Sequence, residues 1–460
     1  MTLDVASDEA LGDTRNNNSM NGAFVLDGNK LRIAYIDAAI IDNKGHHANS
    51  CRYFISEFSR RGFVVDSYGS RMLTPRLAEE LKIRPSFRHY PYWRVRESGP
   101  LSHGDLPYLI ERSSFLYDLR MAWRRGPYEI LVFPFVLAAQ FGAISAWLRG
   151  FNRDQAPVVA VGFDTSSGNE LTGDYAYYTP YYRRIGRTFR RKYLQRTLLF
   201  SHESATARDY ATVMNLPVRA MPAIHAGFGR PRLRGKGADR RVTIGFLGHQ
   251  RPEKGFQFIP DIIEYLQSRS LPVKVLVHNS GPADDDVSER LRLLSKANSP
   301  MVEFVESAGD HLEWQGLLDR CDLMVLPYEP NRYRNSGSGL ATEAVGSGIP
   351  MVVPAGTTME QLAIRYQGGS VSFANWSAQE VGRAIEAAIA DFDVLAERAR
   401  TGAEEWLSVN GAGHFVDQLM AIDARSMAAF PRRRGSRCSS AYDQCVGRVL
   451  DRLVLGRWRA

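Results

Sequence analysis

A loop of small polar residues at 335–339, followed by a short helical pattern, is the clearest candidate for ligand chemistry in the sequence. Glycine lets backbone amides approach an anion closely, and a helix N-terminus presents unpaired N–H groups with a partial positive charge. A diphosphate would fit before the helix, where the Glu343 carboxylate could accept hydrogen bonds from a ribose diol. The predicted loop contacts are Ser336, Gly337, Ser338, Gly339 and Leu340. An ordinary tight turn is the alternative.

A second loop, at residues 248–255, directly follows the first predicted strand of the C-terminal half. It carries Gly248, Arg251 and Lys254, so two cations lie three residues apart at the carboxyl end of a strand. Arg251 would offer a fork of hydrogen-bond donors and Lys254 a mobile point charge to the same diphosphate. Ligands of open α/β sheets bind beyond the carboxyl ends of the strands, so both loops can face one site. A loop with two solvated charges is the alternative.

Residues of the N-terminal half also follow predicted strands. Gly45, His46 and His47 lie in the loop after the first strand, and Asp164 follows a later one. We predict that they face a ligand, because ligands of open α/β sheets bind beyond the carboxyl ends of the strands. The alternatives are a solvent-exposed histidine pair and an aspartate that caps a helix. Glu203 also begins a predicted helix, and capping of that helix is sufficient to explain it.

We expect neither a metal ion nor an organic cofactor. The acidic run Asp284, Asp285 and Asp286 lies in a loop where it would cap the following helix. Cys438 and Cys445 have no matching pair of histidines or cysteines. Four cysteines in 460 residues do not form a disulfide scaffold, so a reducing cytoplasm is the predicted compartment. No segment reads as a signal peptide or a membrane-spanning helix.

A basic stretch at residues 183–196 suggests an acidic partner, as does the net charge of +8. A helix here would place Tyr182, Ile185, Phe189 and Tyr193 in one apolar stripe. The cations beside it are Arg183, Arg184, Arg187, Arg190, Arg191, Lys192 and Arg196. We predict that this helix can lie on the inner face of an anionic cell membrane, with an ordinary surface helix as the alternative. Nucleic acid is not an expected partner.

The hydrophobic pattern predicts an α/β protein with two successive doubly wound, Rossmann-like domains. Short apolar runs alternate with amphipathic segments, which is the order of βαβ units in parallel sheets. Residues 71–128 depart from this order, and we predict an irregular insertion with some helix there. The predicted boundaries are a flexible leader at 1–29, an N-terminal Rossmann-like domain at 30–226, a linker at 227–241, a C-terminal Rossmann-like domain at 242–420 and a basic tail at 421–460. The tail either returns to the N-terminal domain or is disordered.

The stretch at 321–354 resembles the donor-site signature of glycosyltransferase family 4. The matching residues are Glu343, Ala344, Gly348, Ile349, Pro350, Val352 and Val353. The loop at 248–255 is similar to the Gly…Arg-x-x-Lys-Gly loop of that family. At the first acidic position of the signature this chain has Asn335, an amide that can still donate and accept hydrogen bonds. The resemblance implies the GT-B fold, in which two domains face each other across a cleft.

The resemblance also implies a function. The chain would move a hexose-type sugar from a nucleoside-diphosphate sugar to a lipid-linked or polysaccharide glycan, with retention of the anomeric configuration and without a metal. The implied catalytic residues are Arg251, Lys254, Asp164 and Asn335, of which Asp164 would lie near the acceptor. The loop with Gly45, His46 and His47 would face the cleft and touch the donor phosphates or the acceptor. Two alternatives stay open, a sugar-nucleotide epimerase of the same fold and a GT-B module that only binds a sugar or nucleotide.

Overall fold

The computed structural model describes residues 31–43, 46–91, 105–152, 155–163, 178–192, 196–224, 241–280, 286–298, 301–307, 311–366 and 368–421. Within these ranges the chain forms two parallel β-sheets, of seven and six strands, with helices on their faces. The predicted α/β class with two doubly wound sheets is therefore confirmed.

The first sheet has the strand order β3-β2-β1-β4-β5-β6-β7. Its strands are β1 (Arg32–Ile36), β2 (Val64–Ser70), β3 (Ile83–Phe87), β4 (Ile130–Phe133), β5 (Val158–Gly162), β6 (Thr197–Ser201) and β7 (Arg219–Ala220). The helices between them are α1 (His46–Arg60), α2 (Pro75–Glu80), α3 (Asp105–Trp123), α4 (Ala138–Leu148), α5 (Thr179–Lys192) and α6 (Ser204–Met214). The order reverses between β1 and β4, which creates a crevice at their carboxyl ends.

The second sheet has the order β10-β9-β8-β11-β12-β13. Its strands are β8 (Val242–Phe246), β9 (Val273–Asn279), β10 (Val302–Glu306), β11 (Leu323–Val325), β12 (Met351–Pro354) and β13 (Ser370–Phe373). Its helices are α7 (Ile259–Ser268), α8 (Asp286–Ala297), α9 (His311–Arg320), α10 (Pro330–Tyr333), α11 (Gly339–Gly346), α12 (Thr358–Arg365), α13 (Ala378–Ala390) and α14 (Phe392–Val409). Here the order reverses between β8 and β11.

Apolar packing on both faces of each sheet explains the continuous hydrophobic strands. In β1, Ala34 and Ile36 join one apolar cluster, while Ile33 and Tyr35 join the cluster on the opposite face. Successive side chains of a strand point to opposite faces, so a strand covered on both sides must be apolar throughout. This is why the strand positions could be predicted from the sequence.

The segment 71–128 contains the predicted helix, but its described part is regular rather than an irregular insertion. It contains α2, the edge strand β3 and the long helix α3. β3 carries Pro85, and proline is tolerated there because an edge strand needs no ladder bond on its outer side. Proline and polar residues in β3 hide the alternation that would reveal a strand.

The last described helix, α15 (Ala412–Ala421), returns to the first sheet. Phe415 packs edge-to-face on Phe54 of α1, with ring centroids 5.0 Å apart. Arg61 also donates hydrogen bonds to the Gly413 carbonyl oxygen at 2.9 Å and to Asp417 at 2.5 Å. Part of the predicted segment 242–420 therefore contributes to the core of the first sheet.

Two loops of the second sheet approach each other so closely that only glycine fits between them. β8 and β11 are neighbours, so the loops that follow them meet at the carboxyl edge. Gly255 has a φ of +73°, and a Cβ there would overlap the Pro327 carbonyl oxygen. The Glu329 amide donates to the Glu253 carbonyl oxygen at 2.9 Å, which joins the loops again.

We expect Gly255→Ala to destabilise the protein more than Gly356→Ala. Gly356 has a φ of +71° but nothing within 4 Å of its Cβ position, so alanine there meets backbone strain alone, about 1 kcal/mol. Alanine at 255 adds the overlap with Pro327, for a total of about 3 kcal/mol. Urea unfolding of both variants measures the difference. Equal losses of unfolding free energy in the two variants would contradict the close approach of the two loops.

Candidate functional site

Tyr328 connects the two loops that the sequence analysis singles out. It follows β11 and is 3% exposed, and the Lys254 ammonium lies over its ring at 5.3 Å from the centroid. Burial raises the pKa of Tyr328 and Tyr333 adds to the shift, whereas Ser338 and Arg251 lower it. Arg251, Lys254 and Ser338 therefore lie around one buried phenol. Tyr328 was not predicted, although its place directly after a buried strand was a usable signal.

The N-terminus of α11 is capped so that its first amides point towards the loop. The Ser338 hydroxyl accepts a hydrogen bond from the Ala341 amide at 3.3 Å. The amides of Gly339 and Leu340 come before it, and helix geometry gives such amides no acceptor within the helix. Both belong to the predicted set of anion contacts. An anion before α11 would receive these two N–H groups together with the positive end of the helix dipole.

Lys254 and Arg251 bring positive charge to the same edge. Burial and the nearby Arg251 lower the pKa of Lys254 to about 8, and Glu253 partly opposes that shift. Glu253 also pairs with the Arg251 Nε at 3.1 Å. A Cβ added at Gly248 would lie 3.9 Å from the Lys254 Nζ, so the ammonium lies close to this loop. An anionic ligand would stabilise the charged form of Lys254.

A buried histidine supports the loop after β8. The Gly248 amide donates to His278 Nδ1 at 3.4 Å, while His278 Nε2 lies 3.1 Å from the Ser307 carbonyl oxygen. These partners require a neutral ring that carries its proton on Nε2, and burial lowers the pKa of His278 accordingly. Gln250 donates to the His278 carbonyl oxygen at 3.0 Å. His278 was missed, although a polar run at a strand end could have indicated it.

Glu343 lies where the two domains meet. It is 5% exposed, and its Oε2 accepts a hydrogen bond from Trp314 Nε1 on α9 at 3.0 Å. In the other domain, burial and then the negative charge of Glu343 raise the pKa of Tyr53 on α1. The carboxylate is thus fixed beside an indole and a phenol. Its predicted contact with a ribose stays a prediction.

The loop at 335–338 is held by side chains of both domains. The Asn335 carbonyl oxygen accepts from the Thr206 hydroxyl at 2.8 Å, although the residue is largely exposed. The Ser336 carbonyl oxygen accepts from the Thr358 hydroxyl at 2.6 Å. A Cβ at Gly337 would lie 2.8 Å from the Glu203 Cγ, so Glu203 lies directly against the loop. The role of Asn335 towards a sugar stays a prediction.

The capping explanation of Glu203 is wrong. Glu203 occupies the N-cap position of α6, but its side chain makes no capping hydrogen bond. It reaches Gly337 across the domain boundary instead. A contact between residues so far apart in the chain depends on how the two domains meet, which no local pattern encodes.

His47 lies in the first turn of α1 rather than in a loop. Its Nδ1 donates to the Asp37 Oδ2 at 2.8 Å, and its ring packs against Phe135 with centroids 4.8 Å apart. Asp37 directly follows β1 and also accepts a hydrogen bond from the Ala39 amide at 2.9 Å. The alternative of solvent-exposed histidines is thus wrong for His47. Gly45, Asp164 and the side chain of His46 lie outside the described residues.

The apolar stripe of α5 faces the protein and not a membrane. Tyr182, Ile185 and Phe189 are buried, and Phe189 stacks on Phe141 with centroids 4.8 Å apart. The described arginines of the helix that are exposed are Arg183, Arg184 and Arg187. Beyond the helix, Arg196 donates to the Ala156 carbonyl oxygen at 2.8 Å. Only the basic face of α5 can meet a partner; Arg190, Arg191, Lys192 and Tyr193 have no described side chains.

The described residues hold no group of histidine, cysteine, aspartate and glutamate side chains able to bind a metal ion. Asp284 and Asp285 lie outside those residues, so the expected absence of a metal stays a prediction. Among the described helices, none has the length and apolar character needed to cross a bilayer.

Two Rossmann-like domains that meet along the carboxyl ends of their strands define the GT-B fold, which is confirmed for this chain. Sucrose-phosphate synthase from Thermosynechococcus elongatus is similar with a TM-score of 0.61, at 14% identity over 87% of this chain and 100% of that one. HepE from Anabaena in complex with UDP-glucose is similar with a TM-score of 0.56, at 12% identity over 85% of this chain and 99% of that one.

A putative UDP-N-acetylglucosamine 2-epimerase from Listeria monocytogenes is similar with a TM-score of 0.55, at 11% identity over 89% of this chain and 100% of that one. Similarity at these identities shows the fold alone. No family model and no curated protein matches the sequence. Membership of family 4 therefore stays a prediction.

Lys254 should make the binding of a nucleoside diphosphate depend on pH. Its pKa in the unliganded protein is about 8, and a bound anion raises that value. A raised pKa strengthens binding below the unliganded pKa, and the gain is lost as the pH rises from about 8 to the higher pKa of the liganded protein. We expect the dissociation constant to rise up to about tenfold per pH unit above that point.

Titration calorimetry between about pH 6 and pH 10 measures this effect. Lys254→Arg is the control, because its guanidinium stays charged throughout and the diphosphate titrates equally in both proteins. The ratio of the two dissociation constants isolates Lys254. A ratio that stays constant across the range would contradict the assignment.

Proposed function

We propose that the protein is a glycosyltransferase that takes a sugar from a nucleoside-diphosphate sugar bound at the carboxyl edge of the second sheet. The observation that carries this proposal is the meeting of the loop after β8 with the N-terminus of α11 around Tyr328. Two cations and two helix-terminal amides there fit one diphosphate. The GT-B fold supports the proposal because HepE, a protein of this fold, was solved with UDP-glucose.

The proposed chemistry depends on charge that develops in the transition state. As the bond from the anomeric carbon to the diphosphate breaks, negative charge builds on the leaving oxygen. We propose that Arg251, Lys254 and the amides of Gly339 and Leu340 stabilise that charge as preorganised donors. These groups supply the positive charge, and we propose a metal-independent reaction on that basis.

The remaining site residues are proposed to contact the ribose, the transferred sugar and the acceptor. We propose that Glu343, fixed by Trp314, holds the ribose, and that the 335–338 loop contacts the sugar. Retention of the anomeric configuration is the outcome that the family resemblance implies. His47, oriented by Asp37, is proposed to contact the acceptor across the cleft.

Release of nucleoside diphosphate from a panel of nucleotide sugars tests the proposed function. We expect turnover with at least one donor, and Arg251→Ala should lower kcat/KM by about 10²–10³ because it removes one preorganised donor. Arg398→Ala is the matched control, since Arg398 is an exposed arginine of α14 in the same domain.

The products separate the alternatives. An isomerised nucleotide sugar formed without any acceptor would indicate an epimerase, the activity given for the putative Listeria monocytogenes protein. Nucleoside-diphosphate binding without turnover of any donor would indicate a module that only binds. Either result would refute the transferase.

We also propose that the acceptor is a lipid-linked or polysaccharide glycan presented at an anionic membrane. The exposed arginines of α5 supply the charge. Tyr181 of α5 packs against Tyr108 of α3 in a tilted arrangement with ring centroids 4.0 Å apart, which fixes the helix on the domain. Exposed cations on a helix held in this way suit the surface of an anionic bilayer.

Sedimentation with vesicles of anionic and zwitterionic lipid tests this partner. We expect binding to the anionic vesicles alone, weakened by salt because screening shortens the range of the charges. Reversal of Arg183 and Arg184 to glutamate should reduce binding by at least about tenfold, since each cation contributes about 1 kcal/mol. The matched control reverses Arg76 and Arg398, two exposed arginines elsewhere. Equal loss of vesicle binding in both double variants would argue against the α5 arginines as the membrane-binding surface.

A further inference from the structure

A cavity of about 240 Å³ lies between the two domains, beside the places where the chain passes from one to the other. Ala223 and Asn410 belong to its lining and are joined by a hydrogen bond of 2.8 Å from the Ala223 amide to the Asn410 Oδ1. The Gly411 amide donates back to the Ala223 carbonyl oxygen at 2.7 Å. We call this space the hinge cavity.

Each domain contributes one arginine to the hinge cavity. Arg208 comes from α6 and Arg365 from the end of α12. Arg365 donates to the Ser204 hydroxyl at 3.4 Å, and its guanidinium lies 5.4 Å from the Tyr366 ring centroid, so it is held at the domain boundary. Both arginines are exposed, and Glu203 is the one carboxylate among the lining residues, so the lining side chains carry a net positive charge. An anion bound in the cavity would offset that charge.

The remaining walls suit a sugar. The hydroxyl oxygens of Thr342 and Thr358 can still accept hydrogen bonds from a sugar, and the Gln361 amide can donate and accept. Trp406 and Tyr366 are buried and give the wall an apolar base. A cavity of about 240 Å³ is large enough for one monosaccharide with a charged group.

The hinge cavity adjoins the loop that is proposed to hold the transferred sugar. Thr358 and Thr342 line it, and their hydroxyls donate to the carbonyl oxygens of Ser336 at 2.6 Å and Ser338 at 3.2 Å. Glu203 lines it too and touches Gly337. A ligand in the cavity is therefore separated from the donor loop by single side chains.

We propose that the hinge cavity binds an anionic monosaccharide unit of the acceptor, with its phosphate or carboxylate between Arg208 and Arg365. This acceptor role rests on the proposed function. In the transfer, an acceptor hydroxyl oxygen forms the new bond to the anomeric carbon. The bond from that carbon to the diphosphate oxygen breaks with its electron pair, and the hydroxyl proton goes to the released diphosphate.

Binding of simple sugars without any donor tests the site. Glucose 6-phosphate, glucuronate and glucose are titrated by calorimetry into the wild-type protein, Arg208→Gln, Arg365→Gln and the control Arg76→Gln, an exposed arginine remote from the cavity. We expect at least one anionic sugar to bind at least about tenfold more tightly than glucose, because charge-assisted hydrogen bonds to an anion are the strong ones. Each cavity variant should bind the anionic sugar about tenfold more weakly or worse. The control Arg76→Gln should bind it as tightly as the wild-type protein does.

The two anionic sugars distinguish a phosphate from a carboxylate as the recognised group. Equal binding of glucose and both anionic sugars, or unchanged binding in the two cavity variants, would overturn the site.

A kinetic measurement separates the site from the proposed function. With a donor that is turned over, the cavity variants should raise KM for the anionic acceptor about tenfold and leave donor hydrolysis unchanged. Turnover with an unchanged acceptor KM would overturn the acceptor role while the transferase stands. If the protein turns over no donor but the cavity variants still lose binding of the anionic sugar, the site is supported and the proposed transferase is refuted.

Discussion

The close approach of the loops after β8 and β11 is the constraint on which the candidate donor site depends. Gly255 has no side chain, so the Pro327 carbonyl oxygen can lie where a Cβ would be. This contact brings Lys254 over the Tyr328 ring, and Tyr328 in turn lies beside Ser338 at the start of α11. Cations and helix-terminal amides from distant parts of the chain thus share one rigid edge, which is the preorganisation that electrostatic catalysis requires.

Charge is distributed unevenly around that edge. His278 supports the loop after β8 as a neutral ring, and Tyr328 is a buried neutral phenol. The groups directed towards the proposed ligand are cationic, and burial brings the pKa of Lys254 down to about 8. Because the buried groups behind the cations are neutral, they do not cancel the positive charge. Buried charges are also screened less than exposed ones, so the electrostatic potential is most positive where an anion would bind.

The second domain does not hold its sugar loop alone. Thr206 and Glu203 of the first domain contact Asn335 and Gly337, while Thr358 of the second bonds the Ser336 carbonyl oxygen. The same α6 and α12 carry the arginines of the hinge cavity. Any movement between the domains must therefore act on the loop and the cavity together, which gives a physical route for coupling an acceptor to the donor.

The amino-acid sequence was sufficient to predict the two doubly wound sheets and to single out Arg251, Lys254 and the start of α11. Strands buried on both faces must be apolar throughout, and ligand-binding loops of parallel sheets follow their carboxyl ends, so both are local signals. Long-range packing had to be seen before it was clear that Tyr328 links the two loops and that Glu203 reaches Gly337. The same holds for the orientation of His47 by Asp37 and for the burial of the apolar stripe of α5. Each of these depends on which distant surfaces pack together, and an amphipathic helix has the same sequence pattern whether its apolar face meets a sheet or a membrane.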